Sequence, residues 1–341
     1  MFPEQVAAIA SCFAGLPPLS GLPIRHAAAG LSGAEVWRVT TSGGGFALKA
    51  WPNDLLTTER PEWIARQLRA ARDAGEARLP VPLSSCEDPR HTCVRACERW
   101  WQCEPWLPGK PELATAADGD NLAGAMAALA QLHAALRTGS ARECRRDRSP
   151  AIARRRAVWN EVNDGGRELV RRAVVQCGDE SERTSFDEWS RTWRKMSASV
   201  DQMLQLEERQ SSALQVVHGD MRADHVLFEG GKVSGFIDFA AATVDSVALD
   251  MARLLSDAVG GNAQKNLAIL NAYAASAHSS GGLSVEETVL VDVYARSAAL
   301  LSPYRWFRWI HVEKQEFADS AAVALRRQRL MNRLREIVES T

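Results

Sequence analysis

The run HGDMRADHVLF, which begins at His218, constrains the fold and chemistry of this chain more than any other segment. Two short strand-like stretches, 226–228 and 233–237, follow one another with a Gly-Gly turn between them, so they predict a β-hairpin. A hairpin holds its two outer ends side by side. The polar residues near those ends are therefore expected to lie close together: Asp220, His225 and Asp238.

These three side chains suit phosphoryl transfer. Asp220 can accept the proton of an attacking hydroxyl, while His225 and Asp238 can hold Mg²⁺ against phosphate groups. Because an imidazole nitrogen suits later transition metals better than Mg²⁺, His225 predicts relatively good use of Mn²⁺. Its protonation should also reduce activity below about pH 6. In the alternative interpretation, His225 only hydrogen-bonds Asp238 or a backbone carbonyl.

Two further motifs follow the hairpin, Ile237-Asp238-Phe239 and Asp250-Met251-Ala252. With His218-Gly219-Asp220, this order and spacing resemble the aminoglycoside phosphotransferase and choline kinase family, whose pattern is H-G-D-x-x-x-x-N/H, I-D-F/W and D-x-A. The resemblance implies an α+β, two-lobed protein-kinase-like fold, with a small antiparallel-sheet N-lobe and a large helical C-lobe. It also implies that His218 and Asp250 lock the catalytic loop by hydrogen bonds to its backbone.

The same resemblance divides the chain into two lobes. Residues 1–106 would form the nucleotide-binding lobe with a short leading helix, and residues 107–341 the lobe with the catalytic loop and the acceptor pocket. A second hairpin, turning at 87–90, is expected to lead to the lobe boundary. There, Glu104 and Trp106 would offer main-chain contacts to adenine.

Phosphate contacts are expected from the first strands. A loop with Gly30, Ser32 and Gly33 can bring backbone N–H groups close to phosphate, and Lys49 on the third strand can reach the α- and β-phosphates. Taken alone, the loop could be an ordinary hairpin and the lysine a solvated one. The loop, Lys49 and the later H-G-D motif together favour a nucleotide site.

A helix carboxylate should pair with Lys49 in a kinase-like arrangement. Pro61 predicts the first helical position and Gly75 the end of that helix. We prefer Glu62 to Glu59 as the partner, because a helix that begins at Pro61 leaves Glu59 outside it. Alternatively, both carboxylates only interact with the helix dipole.

Two groups of arginines leave alternatives open. Arg222, two residues after Asp220, is a candidate catalytic residue that neutralises the transferring phosphate; the alternative is an ion pair with Asp224. Residues 137–156 contain eight arginines. A solvated helix face is the favoured interpretation, because acidic residues interleave, and a patch for an anionic substrate is the alternative.

Composition excludes several classes of protein. The 341 residues carry a formal net charge of -1, so bulk charge gives no support for nucleic-acid binding. No stretch reaches the roughly 18 consecutive apolar residues of a membrane span. The seven cysteines lack paired C-x-x-C spacing, which is typical of reduced cysteines in a cytoplasmic protein.

These features predict a small-molecule kinase that transfers the γ-phosphate of ATP, or of GTP, to a hydroxyl with Mg²⁺ or Mn²⁺. The resemblance implies an aminoglycoside-, choline- or homoserine-like alcohol as the acceptor. A nucleotide-binding pseudokinase with a regulatory or interaction role is the alternative. A protein kinase is disfavoured because no A-P-E signature follows Asp238. The acceptor's identity and the oligomeric state cannot be read from the sequence.

Overall fold

The computed structural model describes residues 1–25, 35–51, 57–115, 119–258, 263–277, 283–317 and 320–339. The strands within these ranges are β1 (Ile24–Arg25), β2 (Glu35–Thr41), β3 (Gly44–Ala50), β4 (Val94–Ala96), β5 (Arg99–Pro105), β6 (Arg145–Asp147), β7 (Ser212–Val217), β8 (Val226–Glu229), β9 (Lys232–Phe236) and β10 (Thr243–Asp245). The α-helices are α1 (Pro3–Ala10), α2 (Glu59–Asp73), α3 (Glu112–Thr115), α4 (Gly119–Gly139), α5 (Pro150–Glu161), α6 (Arg167–Gln176), α7 (Glu180–Glu208), α8 (Ala248–Ala258), α9 (Ala263–Ser276), α10 (Val285–Phe307) and α11 (Ser320–Glu339).

The N-terminal lobe is built on an antiparallel sheet with the strand order β1-β2-β3-β5-β4. Alternate side chains of a strand point to opposite faces, so Leu48 and Ala50 enter the core on one face while Lys49 lies on the other. Helix α1 covers the core face with Val6 and Ile9. The uncovered face therefore carries the polar residues of β3 and β5 towards the rest of the chain.

Helix α2 begins two residues earlier than the sequence predicts. It starts at Glu59, and Pro61 occupies the third helical position. A proline is tolerated there because the first N–H groups of a helix have no intrahelical partner. The prediction that Pro61 begins the helix was wrong, and Glu59 lies inside it.

The second hairpin also differs from expectation. Its turn lies at Cys97-Glu98, between β4 and β5, and not at residues 87–90. Both turn residues have left-handed backbone angles, with φ of 49° and 60°. Such turns favour Asn and Gly, so this Cys-Glu pair carried no recognisable turn signal.

The C-terminal lobe is helical, with two small sheets. Strand β7 pairs with β6 and β10, and β8 pairs with β9 in the predicted hairpin. The hairpin turns at Gly230 and Gly231, with φ of 57° and 73°, as the sequence predicts. The main core includes the fully buried Trp159 and Trp189 of α5 and α7.

Strand β5 ends at Pro105, and the chain then passes along the hairpin. Lys110 and Phe228 exchange two backbone hydrogen bonds, of 2.9 Å and 2.8 Å. This pairing fixes the connection between the lobes to the strand that follows the catalytic loop. The boundary at residues 106 and 107 stays a prediction. No helix in the described ranges is long and apolar enough to cross a membrane, and the seven cysteines are free thiols.

Candidate active site

Three predicted site residues meet between the lobes. Lys49 Nζ lies 3.3 Å from Asp238 Oδ1, and His225 Nε2 lies 3.6 Å from Asp238 Oδ2. Asp238 has a left-handed backbone with φ of 61°, which costs energy for a residue with a Cβ. The fold therefore holds this carboxylate in a strained position where it faces both a cation and an imidazole.

His225 is prepared for binding through one ring nitrogen. Its Nδ1 lies 2.9 Å from the backbone carbonyl oxygen of Asp220, so Nδ1 carries the proton and Nε2 presents a lone pair to Asp238. Burial, with His218 and Arg222, lowers the pKa of His225 to about 4. This lowered pKa argues against His225 as the group whose protonation reduces activity below about pH 6, and the loss of activity itself stays a prediction.

Asp220 is held by an arginine that the sequence analysis missed. Arg253 Nε donates to Asp220 Oδ1 at 2.8 Å, and Arg222 Nη1 lies 3.8 Å from Asp220 Oδ2. Burial raises the pKa of the Asp220 carboxyl, but Arg253 and Arg222 lower it, and the net pKa is below its usual range. Arg253 follows Asp250 by three residues on α8, a helical spacing that could have identified it.

Asp250 anchors the catalytic loop, as the sequence predicts. Its buried carboxylate accepts the backbone N–H groups of His218 and Gly219, both at 2.7 Å. Gly219 has φ of 83°, and a Cβ there would lie 2.2 Å from Ala241 O, so only glycine fits. His218 Nε2 in turn donates to Ile237 O at 2.9 Å, which joins the loop to the residue before Asp238.

Arg222 forms the predicted alternative contact. Its Nε donates to Asp224 Oδ1 at 2.7 Å, and its Nη2 contacts the other carboxylate oxygen. Burial raises the pKa of Asp224, but Arg222 lowers it, and the net value is about 2. This bidentate pair favours the ion-pair interpretation, and a role of Arg222 on the transferring phosphate stays a prediction.

Glu62 is not brought to Lys49. It is 6% exposed and accepts hydrogen bonds from Thr92 N at 2.7 Å, Cys93 N at 2.9 Å and Thr92 Oγ1 at 3.0 Å. Because these donors occupy the carboxylate, it fastens α2 to the strand region instead of serving Lys49. Glu59, the other candidate, is exposed.

The two residues predicted to contact adenine have structural partners. The N–H of Trp106 donates to Gly45 O at 3.0 Å, so this backbone donor is already used within the sheet. Glu104 pairs with Ala47 and shares the sheet face of Lys49. Burial raises the pKa of Glu104 to about 7, while Lys49 opposes that shift and Asp238 adds to it. Its side chain thus belongs to the electrostatic environment of Lys49.

Gly30, Ser32 and Gly33 lie outside the described residues. Within the described part of the chain, no group of three or more His, Cys, Asp or Glu side chains could hold a metal ion. His225 and Asp238 are thus a pair of donors. A cavity of about 380 Å³ between α7, α10 and α11 contains no predicted site residue.

Residues 23–283 match the family described as the phosphotransferase enzyme family. This match spans more than half of the chain. The protein belongs to the phosphotransferase enzyme family. The resemblance inferred from the H-G-D, I-D-F and D-x-A motifs is therefore confirmed.

The curated relatives match only part of this chain. A homoserine kinase of Brucella anthropi is 34% identical over 108 residues, which are 30% of this chain and 32% of that protein. The chain spans at most about half the length of the first curated homoserine kinases that it matches.

Solved structures match over nearly the whole chain. An aminoglycoside phosphotransferase from Alicyclobacillus acidocaldarius has a TM-score of 0.59 at 19% identity and covers 100% of this chain and 97% of its own. A spectinomycin phosphotransferase in complex with ADP and spectinomycin has a TM-score of 0.62 at 12% identity, covering 99% and 94%. At these identities the likeness shows the fold, and the predicted two-lobed kinase-like fold is confirmed.

Proposed function

We propose that this protein transfers the γ-phosphate of ATP to a hydroxyl group of a small molecule. Residues 1–106 would bind the nucleotide and residues 107–341 the acceptor. The observation that carries the proposal is the meeting of Lys49, His225 and Asp238 beside the anchored loop of Asp220. These residues come from both lobes, and they provide a base, a phosphate cation and two metal donors.

Asp220 is the group that would receive the hydroxyl proton. The acceptor oxygen forms a bond to the γ-phosphorus, the bond from that phosphorus to the β-phosphate oxygen breaks, and ADP leaves. The lowered pKa of Asp220 keeps its carboxylate ionised and makes it a weak base. A weak base suffices because phosphoryl transfer depends mostly on positioning and charge neutralisation. Arg253 acts as a positioning residue that orients this carboxylate.

The nucleotide and the metal would bind at Lys49, Asp238 and His225. Lys49 would contact the phosphates, and Arg222 would add positive charge near the transferring group. Asp238, whose pKa is lowered to about 2 although burial opposes the effect of Lys49, offers an ionised oxygen. His225 offers its Nε2, so the donor set fits Mg²⁺ or Mn²⁺ completed by phosphate and water oxygens. Bound there, the metal would neutralise phosphate charge.

Substitution of His225 by Asn tests the metal assignment. If His225 is a ligand, His225→Asn should lower the ratio of Mn²⁺-supported to Mg²⁺-supported activity, because an amide oxygen suits Mg²⁺ better than an imidazole nitrogen does. An unchanged ratio would assign the metal to Asp238 alone.

One observation favours the alternative of a nucleotide-binding pseudokinase. Glu62 is engaged by Thr92 and Cys93, so it does not supply Lys49 with the helix carboxylate expected in an active arrangement. The two functions differ in one measurable product. A pseudokinase binds nucleotide without forming a phosphorylated alcohol.

The deciding experiment incubates the protein with ATP or GTP, Mg²⁺ or Mn²⁺, and a panel of alcohols that includes homoserine, choline, aminoglycosides and macrolides. Mass spectrometry then detects the phosphorylated alcohol, and ADP formation is measured in parallel. Acceptor-dependent product that is lost in Asp220→Asn supports the kinase. Nucleotide binding without any product across the panel would favour the pseudokinase.

A further inference from the structure

Four arginines from three helices gather beside the catalytic loop. We call Arg155 of α5, Arg253 of α8, and Arg326 and Arg333 of α11 the arginine cluster. The guanidinium of Arg155 lies 4.5 Å from the ring centre of Tyr294, and Arg333 Nη2 donates to Ala295 O at 3.4 Å. Arg155 and Arg333 therefore contact adjacent residues of α10.

Electrostatic interactions connect all four members. Arg253 repels both Arg326 and Arg333, and Arg155 repels Arg333. Arg253 also donates to Asp220, so one member of the cluster contacts the proposed base directly. The sequence analysis favoured a solvated helix face for residues 137–156. That interpretation does not hold for Arg155, which packs inward in this cluster.

The acidic neighbours of these arginines act only at longer range: Asp245 on Arg155, Asp220 and Asp257 on Arg326, and Asp257 and Glu336 on Arg333. Among the described residues, no carboxylate lies within salt-bridge distance of Arg155, Arg326 or Arg333. Arg333 is only 6% exposed, and its one hydrogen bond in the described part of the protein is the long contact to α10. The Nε of Arg155 is buried without a hydrogen-bond partner. Asp257, which interacts electrostatically with Arg326 and Arg333, uses one oxygen to accept the N–H of Ala223.

A buried guanidinium without a partner is costly, because it loses water and gains no opposite charge. Burial and the neighbouring arginines lower the pKa of Arg333 to about 9 and that of Arg326 to about 10. An anionic ligand would remove this cost. The planar fork of arginine matches a carboxylate or a phosphate with paired hydrogen bonds.

We infer that the arginine cluster binds a carboxylate or phosphate group of the acceptor, so the hydroxyl that reacts belongs to an anionic alcohol. This inference rests on the proposed function and specifies its acceptor. The hydroxyl would lie at Asp220 and the anionic group beyond Arg253, towards Arg333. Proton, phosphoryl group and leaving ADP move as in the proposed reaction, and the cluster takes part only in binding.

A matched set of three-carbon alcohols tests the charge preference. Glycerate, glycerol 3-phosphate, glycerol and 3-amino-1,2-propanediol share one skeleton and differ in the charge of one end. The inference expects kcat/KM for one of the two anions to exceed that for glycerol and for the amine by at least about tenfold. Glycerate and glycerol 3-phosphate distinguish a carboxylate site from a phosphate site. Preferred phosphorylation of glycerol or of the amine would overturn the inference and leave the kinase proposal intact.

Substitutions in α11 test whether the arginine cluster causes the preference for an anionic alcohol. Arg333→Met should raise the KM for the preferred anion by at least about tenfold with a smaller change in kcat, because it removes binding and leaves Asp220 in place. Arg326→Met, at a more exposed position, should act in the same direction and keeps the test valid if Arg333→Met folds poorly. Arg335→Met is the matched control, because Arg335 pairs with Glu188 outside the cluster. Equal KM values in all three variants would overturn the inference.

A binding measurement decides the case in which none of the alcohols reacts. Inorganic phosphate should raise the melting temperature of the wild type and of Arg335→Met, and this rise should shrink in Arg333→Met and Arg326→Met. That result would support the anion site even if the kinase proposal failed. Phosphate-induced shifts of the same size in all four proteins would overturn the anion site.

Discussion

The catalytic loop and the arginine cluster meet where Arg253 contacts Asp220, and they satisfy their charges in different ways. In the loop, Asp250 accepts two backbone N–H groups, and both ring nitrogens of His218 have partners. In the cluster, the buried Arg333 has one long hydrogen bond within the described residues. A group with all its partners in the protein supports folding, whereas a buried charge without them costs stability until a ligand supplies the opposite charge. Substitutions in the two regions should therefore affect different quantities.

The largest effect is expected at Asp220, where the two regions meet. Asp220→Asn should reduce kcat by about 10²- to 10⁴-fold, because the amide cannot take the hydroxyl proton. Nucleotide affinity should change only within a few-fold, since Lys49 and Asp238 are untouched. Steady-state kinetics and calorimetric nucleotide binding check both statements. Asp292→Asn, at an exposed position paired with Arg296 on α10, is the control, and unchanged turnover in Asp220→Asn would refute the base assignment.

The second-largest effect is expected on the free energy of unfolding, at Asp250, which anchors the catalytic loop. Asp250→Asn should lower the free energy of unfolding by about 3 kcal/mol, because the amide replaces a buried charge that holds two N–H groups. His133 Nε2, 3.1 Å from Asp250, would then face a neutral amide instead of a carboxylate. Urea denaturation measures the change. A loss below about 0.5 kcal/mol, the range of ordinary surface substitutions, would show that the loop does not depend on this anchor.

The two regions also differ in how far the sequence predicts them. The loop residues from His218 to Asp238 are close in sequence, and the Gly230-Gly231 turn fixes their hairpin, so local patterns sufficed. The arginine cluster comes from α5, α8 and α11. Helical spacing gives the face of each helix but not how three helices pack around a fourth. Arg253 was nevertheless within reach, three residues after Asp250 on the same helix.

The N-terminal lobe shows a different limit of prediction from the sequence. The sheet was predictable because alternation and glycine turns are local, and Lys49 lies on the third strand as expected. The role of Glu62 was not, because it depends on where α2 begins and on the Thr92 segment, which is far away in sequence. A carboxylate on a helix has several possible partners. Tertiary packing decided which donors reached this one.

Helix α11 carries one buried arginine with a salt bridge and another without one. Arg327 pairs with Glu182 of α7, and both side chains are largely buried, whereas Arg333 on another face has no carboxylate within salt-bridge distance among the described residues. Arg327→Met should lower the free energy of unfolding by about 1–3 kcal/mol, because it removes one partner of a partly buried carboxylate. Arg333→Met should leave it unchanged or raise it, because an unpaired buried charge is lost. Thermal and urea denaturation of both variants without ligand provide the test, and a destabilisation by Arg333→Met as large as that by Arg327→Met would contradict the contrast.

The smallest expected effect is the pH dependence of the stability that Arg327 contributes. Burial raises the pKa of Glu182, but His311 and Arg327 lower it, and its folded value is about 2, below the unfolded value of about 4.3. The stability that the lowered pKa provides is present above about pH 4.3 and is lost as the pH falls towards 2. The stability difference between wild type and Arg327→Met should therefore shrink across this window. Glu168 provides the control: arginines lower its pKa to about 2 as well, but its pairs are on the surface and solvent screens them, so Glu168→Gln should leave the pH profile unchanged. A difference between wild type and Arg327→Met that stays constant from pH 5 to about pH 2.5 would mean that the Glu182 carboxylate gains nothing from its cationic partners.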